Sequence, residues 1–241
     1  MAQYRYGKNV VKQMIEEHKD IEVLYVQQDR KNDDIEALAR KNHINVVSCS
    51  RKQLDNLVSG NHQGYIAEVK DYPLYDIDDI IETIPQGKQP LLVALDSLED
   101  PHNLGAILRT AACTGVDGII IEKNRSVSLN GTVAKVSCGA IDIVKVAQVT
   151  NLSQTLNYLK ENGYWVIGTD MENASDYRIV NYDMPVVLVI GNEGKGMRPL
   201  IRKNCDMCVY LPMESNIGSL NASVATGVML YQIYSQRFPV K

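Results

Sequence analysis

Residues 186–196 read VVLVIGNEGKG, an unbroken apolar run followed by a polar cluster rich in glycine. Two other stretches repeat this order of apolar run and polar cluster, at 91–109 and 209–221. Apolar runs of this kind are typical of strands that are buried on both faces of a parallel sheet. Because ligands of open α/β folds bind outside the carboxyl ends of such strands, the three clusters predict one shared site.

The region from Pro90 onward predicts an α/β domain with a parallel sheet of about six strands. The predicted strands lie at 91–95, 118–121, 143–147, 165–168, 186–190 and 209–211. A long helix from about Leu220 to Arg237 closes the chain. One apolar stripe of this helix has to be buried. Its members are Leu220, Val224, Val228 (or Gly227), Tyr231 and Tyr234.

The first part of the chain has a different organisation. Short helical and extended segments alternate over residues 1–72, which predicts a small α/β domain. Residues 73–89 contain prolines, an acidic run at Asp76–Asp79 and Gly87, so we interpret them as a linker with at most a turn or two of helix. The second domain is then 90–241.

Composition excludes several classes of protein. The chain has 241 residues and a formal net charge of -4, so any contact with RNA has to be local. No apolar stretch approaches the roughly twenty residues that span a bilayer, and the first residues do not resemble a secretory signal, so we expect a cytoplasmic protein. Taken alone, the local basic clusters are also explained as solvated surface. They are Arg5 with Lys8, Lys123 with Arg125, and Lys195, Arg198, Arg202 and Lys203.

Known ligand signatures are mostly absent. Five cysteines without regular spacing do not indicate a disulfide framework, and the single C-x-x-C at Cys205 and Cys208 lacks a second pair, so we predict no metal site. The residues after the first strand, Asp96–Asp100, are not a dinucleotide-binding G-x-G-x-x-G turn. Met197 stands where a P-loop requires serine or threonine.

Three ordered motifs give a more specific result. They are DPHNLGAILRTAA at 100–112, VIGNEGKGM at 189–197, and LPM at 211–213 with SLNASVA at 219–225. In this order they resemble the SpoU/TrmH branch of the SPOUT methyltransferases. The resemblance implies a trefoil knot in the second domain, S-adenosylmethionine as cofactor, and a homodimer in which the last helix packs against the partner.

The resemblance extends to the first domain. YGKNVV at 6–11 and HQGYIA at 62–67 are similar to the small RNA-binding domain of bacterial 23S rRNA guanosine 2'-O-methyltransferases. This implies methylation of a ribose 2'-hydroxyl of a guanosine in 23S rRNA. Two alternatives stay open at this point. One is a tRNA 2'-O-methyltransferase, which a folded first domain disfavours, and the other is a non-catalytic RNA-binding or ribosome-assembly factor on the same fold.

The resemblance also implies roles for individual residues. The expected catalytic set is Asn103, Arg109, Glu193, Ser219 and Asn221. The expected cofactor contacts are Gly168, Thr169, Gly191, Leu211, Met213 and Leu220. Ser215 departs from the family pattern, in which glycine is usual, and a Cβ there changes the space or the backbone angles available to the loop.

The expected chemistry needs a proton acceptor and alignment, because a ribose hydroxyl is a poor nucleophile until it loses its proton. A guanidinium is a poor general base, so we expect Arg109 to grip the phosphate next to the target ribose. Either that phosphate or an unusually perturbed Arg109 then receives the proton. Asn103 lies near the start of its helix and is also a candidate for the N-cap.

Overall fold

The computed structural model describes residues 3–17, 19–28, 34–69, 72–192, 194–214 and 219–240. Its contacts divide the chain into two compact units, Met1–Tyr72 and Pro73–Lys241. Within the described residues, none of the helices combines the length and the apolar character that crossing a membrane requires.

The first unit is a mixed sheet with short helices. Its strands are β1 Gln3–Tyr6, β2 Ile21–Gln27, β3 Asn45–Cys49 and β4 Tyr65–Val69, and its helices are α1 Lys8–Glu16, α2 Asp34–Lys41 and α3 Arg51–Leu57. Among the described residues the strand order is β1-β4-β2-β3, with only β2 and β3 parallel. The sequence did not predict β1, because its four residues QYRY contain no aliphatic run and are defined by pairing with β4.

The two motif segments of the first unit meet at the start of α1. The backbone N–H of Lys8 donates to Gln63 Oε1 at 2.9 Å, and that of Gly7 donates to the carbonyl of Tyr65 at 3.1 Å. His62 is buried, with Nδ1 accepting from the N–H of Gly64 and Nε2 lying 3.0 Å from Asp55 Oδ1. These contacts join the start of α1 to the segment that leads into β4, so both motif segments have a structural role.

The second unit is built on a larger parallel sheet. Its strands are β5 Leu91–Leu95, β6 Gly118–Glu122, β7 Lys145–Val149, β8 Trp165–Thr169, β9 Ser175–Asp176, β10 Val186–Ile190 and β11 Met207–Tyr210. Its helices are α4 Ile77–Glu82, α5 Pro101–Thr114, α6 Gly131–Ser137, α7 Leu152–Glu161, α8 Pro199–Asn204 and α9 Ala222–Arg237. In the described part of the chain the order is β7-β6-β5-β10-β8-β11-β9, and each pair is parallel.

The predicted α/β class and parallel sheet are confirmed. The described residues form seven strands rather than about six, because the two-residue β9 extends the edge beside β11. Every residue of β5, β6 and β10 is buried, which explains why these strands appear in the sequence as unbroken apolar runs.

One face of the larger sheet packs against α4, α7 and α8. Its core contains strand residues such as Leu92 and Val187, together with Leu156 of α7 and Ile201 of α8. The segment 73–89, which we interpreted as a linker, falls within the second unit, and Ile80 of α4 is fully buried in this core.

Helix α9 turns a different face inward from the one that the sequence predicted. It starts at Ala222, and its buried residues are Ala222, Thr226, Met229, Leu230 and Ile233. The predicted stripe is exposed in the single chain, with Val224 at 51% and Tyr231 at 55%, so its burial against a partner subunit stays a prediction. Apolar residues occur around the whole helix, and periodicity therefore could not identify its core face.

Gly105, in the first motif, lies where α5 packs closely against α6. A Cβ at this position would lie 2.6 Å from Val136 Cβ and 3.0 Å from the carbonyl oxygen of Val133. Close packing of the two helices thus explains the glycine, without a role in binding a ligand.

We expect Gly105→Ala to lower the free energy of unfolding by about 1–3 kcal/mol, because the added methyl forces α6 away from α5. Gly227→Ala is the matched control, since a Cβ there meets nothing closer than Thr110 Cγ2 at 4.0 Å. It should be neutral or stabilising by about 0.5–1 kcal/mol. Urea unfolding measures both, and equal stability of the two variants would contradict the packing argument.

Candidate functional site

A cavity of about 530 Å³ lies beyond the carboxyl ends of β8, β10 and β11. Parallel pairing brings these ends to the same edge of the sheet, so the segments that follow them surround one space. Of the residues expected to contact a cofactor, all except Gly168 line the cavity. They are Thr169, Gly191, Leu211, Met213 and Leu220. Ser219, from the expected catalytic set, lines it as well.

Gly168 and Gly191 are glycines for reasons internal to the fold. A Cβ on Gly168 would lie 2.6 Å from Met197 Cε and 2.8 Å from Cys205 Sγ, so Gly168 makes room for the side chains behind the cavity. A Cβ on Gly191 would lie 2.5 Å from the backbone N of Met197. The glycine at position 191 is thus required by the close packing of its own loop.

The 191–197 loop is closed on itself by backbone and side-chain hydrogen bonds. Asn192 and Gly196 exchange backbone hydrogen bonds of 3.1 and 2.8 Å, and Asn192 Oδ1 accepts from the N–H of Gly194 at 3.0 Å. The Asn192 amide also donates to the carbonyl of Ser97 at 3.0 Å, which ties this loop to the segment after β5. Glu193, an expected catalytic residue, lies outside the described residues, as does Ser215.

Two of the expected catalytic residues are in direct contact. Asn221 Nδ2 donates to Asn103 Oδ1 at 2.9 Å, across 118 positions of sequence, and Asn103 is buried. The side-chain oxygen of Asn221, Oδ1, accepts from the N–H groups of Ser223 and Val224 and thereby caps α9. The pair therefore joins the start of α9 to the first turn of α5.

The idea that Asn103 caps α5 is wrong. The N-cap is Asp100, whose carboxylate accepts from the N–H of His102 at 2.8 Å. Asn103 lies one turn further on and is thus free of the capping role.

Arg109 lies on the exposed side of α5, six residues and less than two helical turns after Asn103. Its Nη1 lies 3.7 Å from Sγ of Cys138, which follows the end of α6. Arg109 does not line the cavity. Its charge is therefore presented to solvent beside the site.

The basic clusters that the sequence singled out separate into two groups. Lys123, Arg125 and Lys195 are exposed on the segments after β6 and β10. Arg202 instead lines the cavity, where it pairs with Asp170 and Glu172, and its pKa is raised chiefly by the hydrogen bond to Glu172.

Arg198 is not part of a solvated patch. Its Nε bonds to Asp96 at 2.5 Å and its Nη2 to Glu122 at 2.7 Å, and both carboxylates are buried. Burial lowers the pKa of Arg198, but the hydrogen bonds to Glu122 and Asp96 more than offset this and raise it on balance. This role of Arg198 was not predicted. The signal for it in the sequence is an acidic residue directly after each of two predicted strands, Asp96 after 91–95 and Glu122 after 118–121.

The C-x-x-C pair precedes and enters β11. Cys205 and Cys208 are half-buried, and burial raises the pKa of the Cys205 thiol to about 12. In the described residues, no group of three His, Cys, Asp or Glu side chains has the geometry of a metal site.

A parallel sheet with a loop-lined cavity at its carboxyl edge and paired amides beside it defines an α/β protein that binds a ligand at the strand ends. Comparison with known proteins identifies the class. Residues 90–231 match the SpoU rRNA Methylase family, and residues 5–75 match the domain described as RNA 2'-O ribose methyltransferase substrate binding.

The chain belongs to the SpoU/TrmH family of RNA methyltransferases, and the family predicted from the three motifs is confirmed. It is 43% identical to YacO of Bacillus subtilis strain 168, which is named as a TrmH family tRNA/rRNA methyltransferase, over 98% of this chain and 97% of that protein. A relative from Staphylococcus haemolyticus of the same family name is 44% identical over 97% and 96%.

Solved structures agree on the fold. The SpoU methyltransferase AviRb from Streptomyces viridochromogenes, in complex with AdoMet, aligns with a TM-score of 0.65 at 22% identity over 99% of this chain and 92% of that chain. The A. aeolicus TrmH/SpoU tRNA modifying enzyme aligns with a TM-score of 0.58 at 31% identity, over 66% of this chain and 81% of that one.

Removal of the Asn221 side chain should cost both the α9 cap and the bond to Asn103. We expect Asn221→Ala to lower the free energy of unfolding by about 1–2 kcal/mol. Asn221→Ser, which keeps a capping oxygen but cannot reach Asn103, should recover about 1 kcal/mol of this loss. Denaturant unfolding measures both. A serine variant no more stable than the alanine variant would show that the cap contributes nothing.

Proposed function

We propose that this chain transfers the methyl group of S-adenosylmethionine to a ribose 2'-hydroxyl of RNA, and that its target is a guanosine of 23S rRNA. The observation that carries the proposal is the cavity that the second and third motifs line, with the paired amides of Asn103 and Asn221 at the start of the neighbouring helices. The family assignment supports the same reaction.

The cavity suits the proposed cofactor in size and in the character of its walls. Its volume of about 530 Å³ is within the range of small-molecule sites, roughly 300–1,000 Å³. Leu211, Met213 and Leu220 supply apolar side chains, and the 191–197 loop and Thr169 supply polar groups. When bound there, S-adenosylmethionine supplies a methyl group that its sulfonium already activates for in-line attack.

The residues beside the cavity then have to position the RNA. Arg109 is exposed and carries a guanidinium that keeps its charge, so we assign it to the phosphate next to the target ribose, which also accepts the proton. Asn103 and Asn221 hold each other and fix the ribose side of the site, with Ser219 on the cavity wall. We assign Glu193 to the orientation of Asn103, Arg109 or the substrate.

The choice of 23S rRNA rests on the first unit. Residues 5–75 match a substrate-binding domain, and the segments YGKNVV and HQGYIA within them resemble the RNA-binding domain of 23S rRNA guanosine 2'-O-methyltransferases. The second candidate is tRNA, which is favoured by relatives whose family name includes both tRNA and rRNA.

We also propose a homodimer that buries the outer face of α9. Val224, Tyr231, Tyr234 and Phe238 leave an apolar and aromatic surface on the single chain, and the tilted rings of Tyr234 and Phe238 are 4.9 Å apart between centroids. An exposed surface of this kind is typical of an interface between subunits. The trefoil knot stays a prediction from family resemblance.

The first experiment follows labelled methyl from S-adenosylmethionine into 23S rRNA and bulk tRNA that lack their native methylations. We expect labelling of rRNA alone by the wild type. Arg109→Ala should lower kcat/KM by about 10- to 100-fold through loss of a charge-assisted contact, and Arg109→Lys should retain more activity than Arg109→Ala.

Each other outcome has a defined meaning. Labelling of tRNA alone would overturn the choice of substrate and keep the reaction. Labelling of neither RNA, with both still bound, would favour a non-catalytic RNA-binding protein. Full activity of Arg109→Ala would remove Arg109 from the site.

Gly191→Ala should weaken binding of S-adenosylmethionine by about tenfold or more, because the Cβ displaces the backbone of Gly196 and Met197 and reshapes the cavity wall. Gly194→Ala, in the same loop, is the control, since within the described part of the chain its Cβ meets only Asn192 Oδ1, at an ordinary 3.6 Å. Isothermal titration calorimetry measures both affinities. Equal weakening by the two substitutions would show that the effect is not specific to position 191.

A further inference from the structure

Arg198, immediately after the 191–197 loop, is partly buried and bonds to two buried carboxylates, and we call these three side chains the Arg198 cluster. Arg198 donates from its backbone N–H to Asp96 Oδ2 at 2.7 Å, from Nε to Asp96 Oδ1 at 2.5 Å, and from Nη2 to Glu122 Oε2 at 2.7 Å. Asp96 is fully buried and Glu122 is 7% exposed. One guanidinium thus holds the residue after β5, the last residue of β6 and the start of α8.

The Arg198 cluster and Asn192 attach both ends of the 191–197 loop to the same short segment. At the start of the loop, Asn192 donates to the carbonyl of Ser97, and the N–H of Asp96 donates to the carbonyl of Ile190 at 2.8 Å. At its end, Arg198 grips Asp96. Since this segment leads into α5, the position of the loop is set relative to the helix that carries Asn103.

Stability alone is a weak explanation for two buried carboxylates held by a partly buried guanidinium. The free energy lost when ionic groups are desolvated offsets much of the free energy gained from their attraction. Proteins in which apolar residues replace a buried ion pair are therefore often as stable as the original. What an arginine adds is geometry, because its planar fork bonds two carboxylates in fixed directions. The Arg198 cluster can therefore fix the shape of the 191–197 loop, whose residues form part of the cavity wall.

We infer that Arg198 is a positioning residue for the methyltransferase: by gripping Asp96 and Glu122 it holds the 191–197 loop in the shape that binds S-adenosylmethionine and in register with Asn103. Arg198 itself does not line the cavity, so it acts through the loop. The inference rests on the proposed use of this cavity for the cofactor.

The test compares Arg198→Lys with wild type and with Arg237→Lys as control. Arg237 is also a partly buried arginine and bonds to the carbonyls of Gln89, Pro90, Tyr182 and Met184, before the amino ends of β5 and β10. The same chemical change is therefore made at the opposite edge of the sheet. Calorimetry gives the affinity for S-adenosylmethionine, and steady-state methyl transfer gives KM for the cofactor and for RNA.

We expect Arg198→Lys to weaken cofactor binding about tenfold and to raise the KM for S-adenosylmethionine equally, with the KM for RNA unchanged. Glu122→Gln, which leaves both Asp96 contacts in place, should weaken binding less and serves if Arg198→Lys does not fold. Arg237→Lys should bind the cofactor as the wild type does, whatever its thermal stability.

If both Arg198→Lys and Glu122→Gln bind the cofactor with wild-type affinity, the positioning role is overturned and the proposed function stays intact. If Arg198→Lys does not fold, wild-type affinity of Glu122→Gln alone leads to the same conclusion. Equal weakening in Arg237→Lys would reduce the effect to general destabilisation and would also overturn it. No binding by the wild type would overturn both this inference and the proposed function.

Discussion

The parallel pairing of β10 between β5 and β8 is the constraint on which the site depends. Ile190 lies opposite Leu95, and Val189 lies opposite Gly168, so these three strands end at the same level. Because parallel strands all point the same way, the chain leaves each one at the same edge of the sheet. Residues that are 95 positions apart, Ser97 and Asn192, can therefore form a hydrogen bond.

Burial explains why most of this architecture could be predicted from the sequence. Strands covered on both faces must be apolar throughout, and β5 and β10 were predicted with the bounds that the structure has. The short edge strands β1 and β9 could not be predicted in this way. Each is defined by hydrogen bonds to one neighbour, and neither has an apolar run of its own.

The outer helix shows a second limit of pattern analysis. An apolar stripe indicates that a face is buried but does not say by what, and α9 has apolar residues on more than one face. Met229 is buried and Tyr231 is exposed because of the way in which α9 packs against α5, which is distant in sequence. The stripe predicted from the sequence is the outer face of α9, which we propose that a second subunit covers.

The order of the three motifs along the chain predicted which segments form the site. The contacts that explain individual residues of the site could be identified only from the structure. Asn103 and Asn221 were both expected in the site, but their mutual hydrogen bond and the capping role of Asp100 were not. Arg198 shows the largest difference. A basic residue among other basic residues indicates solvated surface in the sequence, and the two buried carboxylates that bind Arg198 come from distant segments of the chain.

The most direct test of this account is a crystal structure of the chain with S-adenosylmethionine. The account predicts one cofactor per chain, in the cavity between the 191–197 loop and the segment from Leu211 to Leu220, with its methyl group facing Asn103 and Asn221. A cofactor bound elsewhere, or a cavity that stays empty at saturating cofactor, would contradict it.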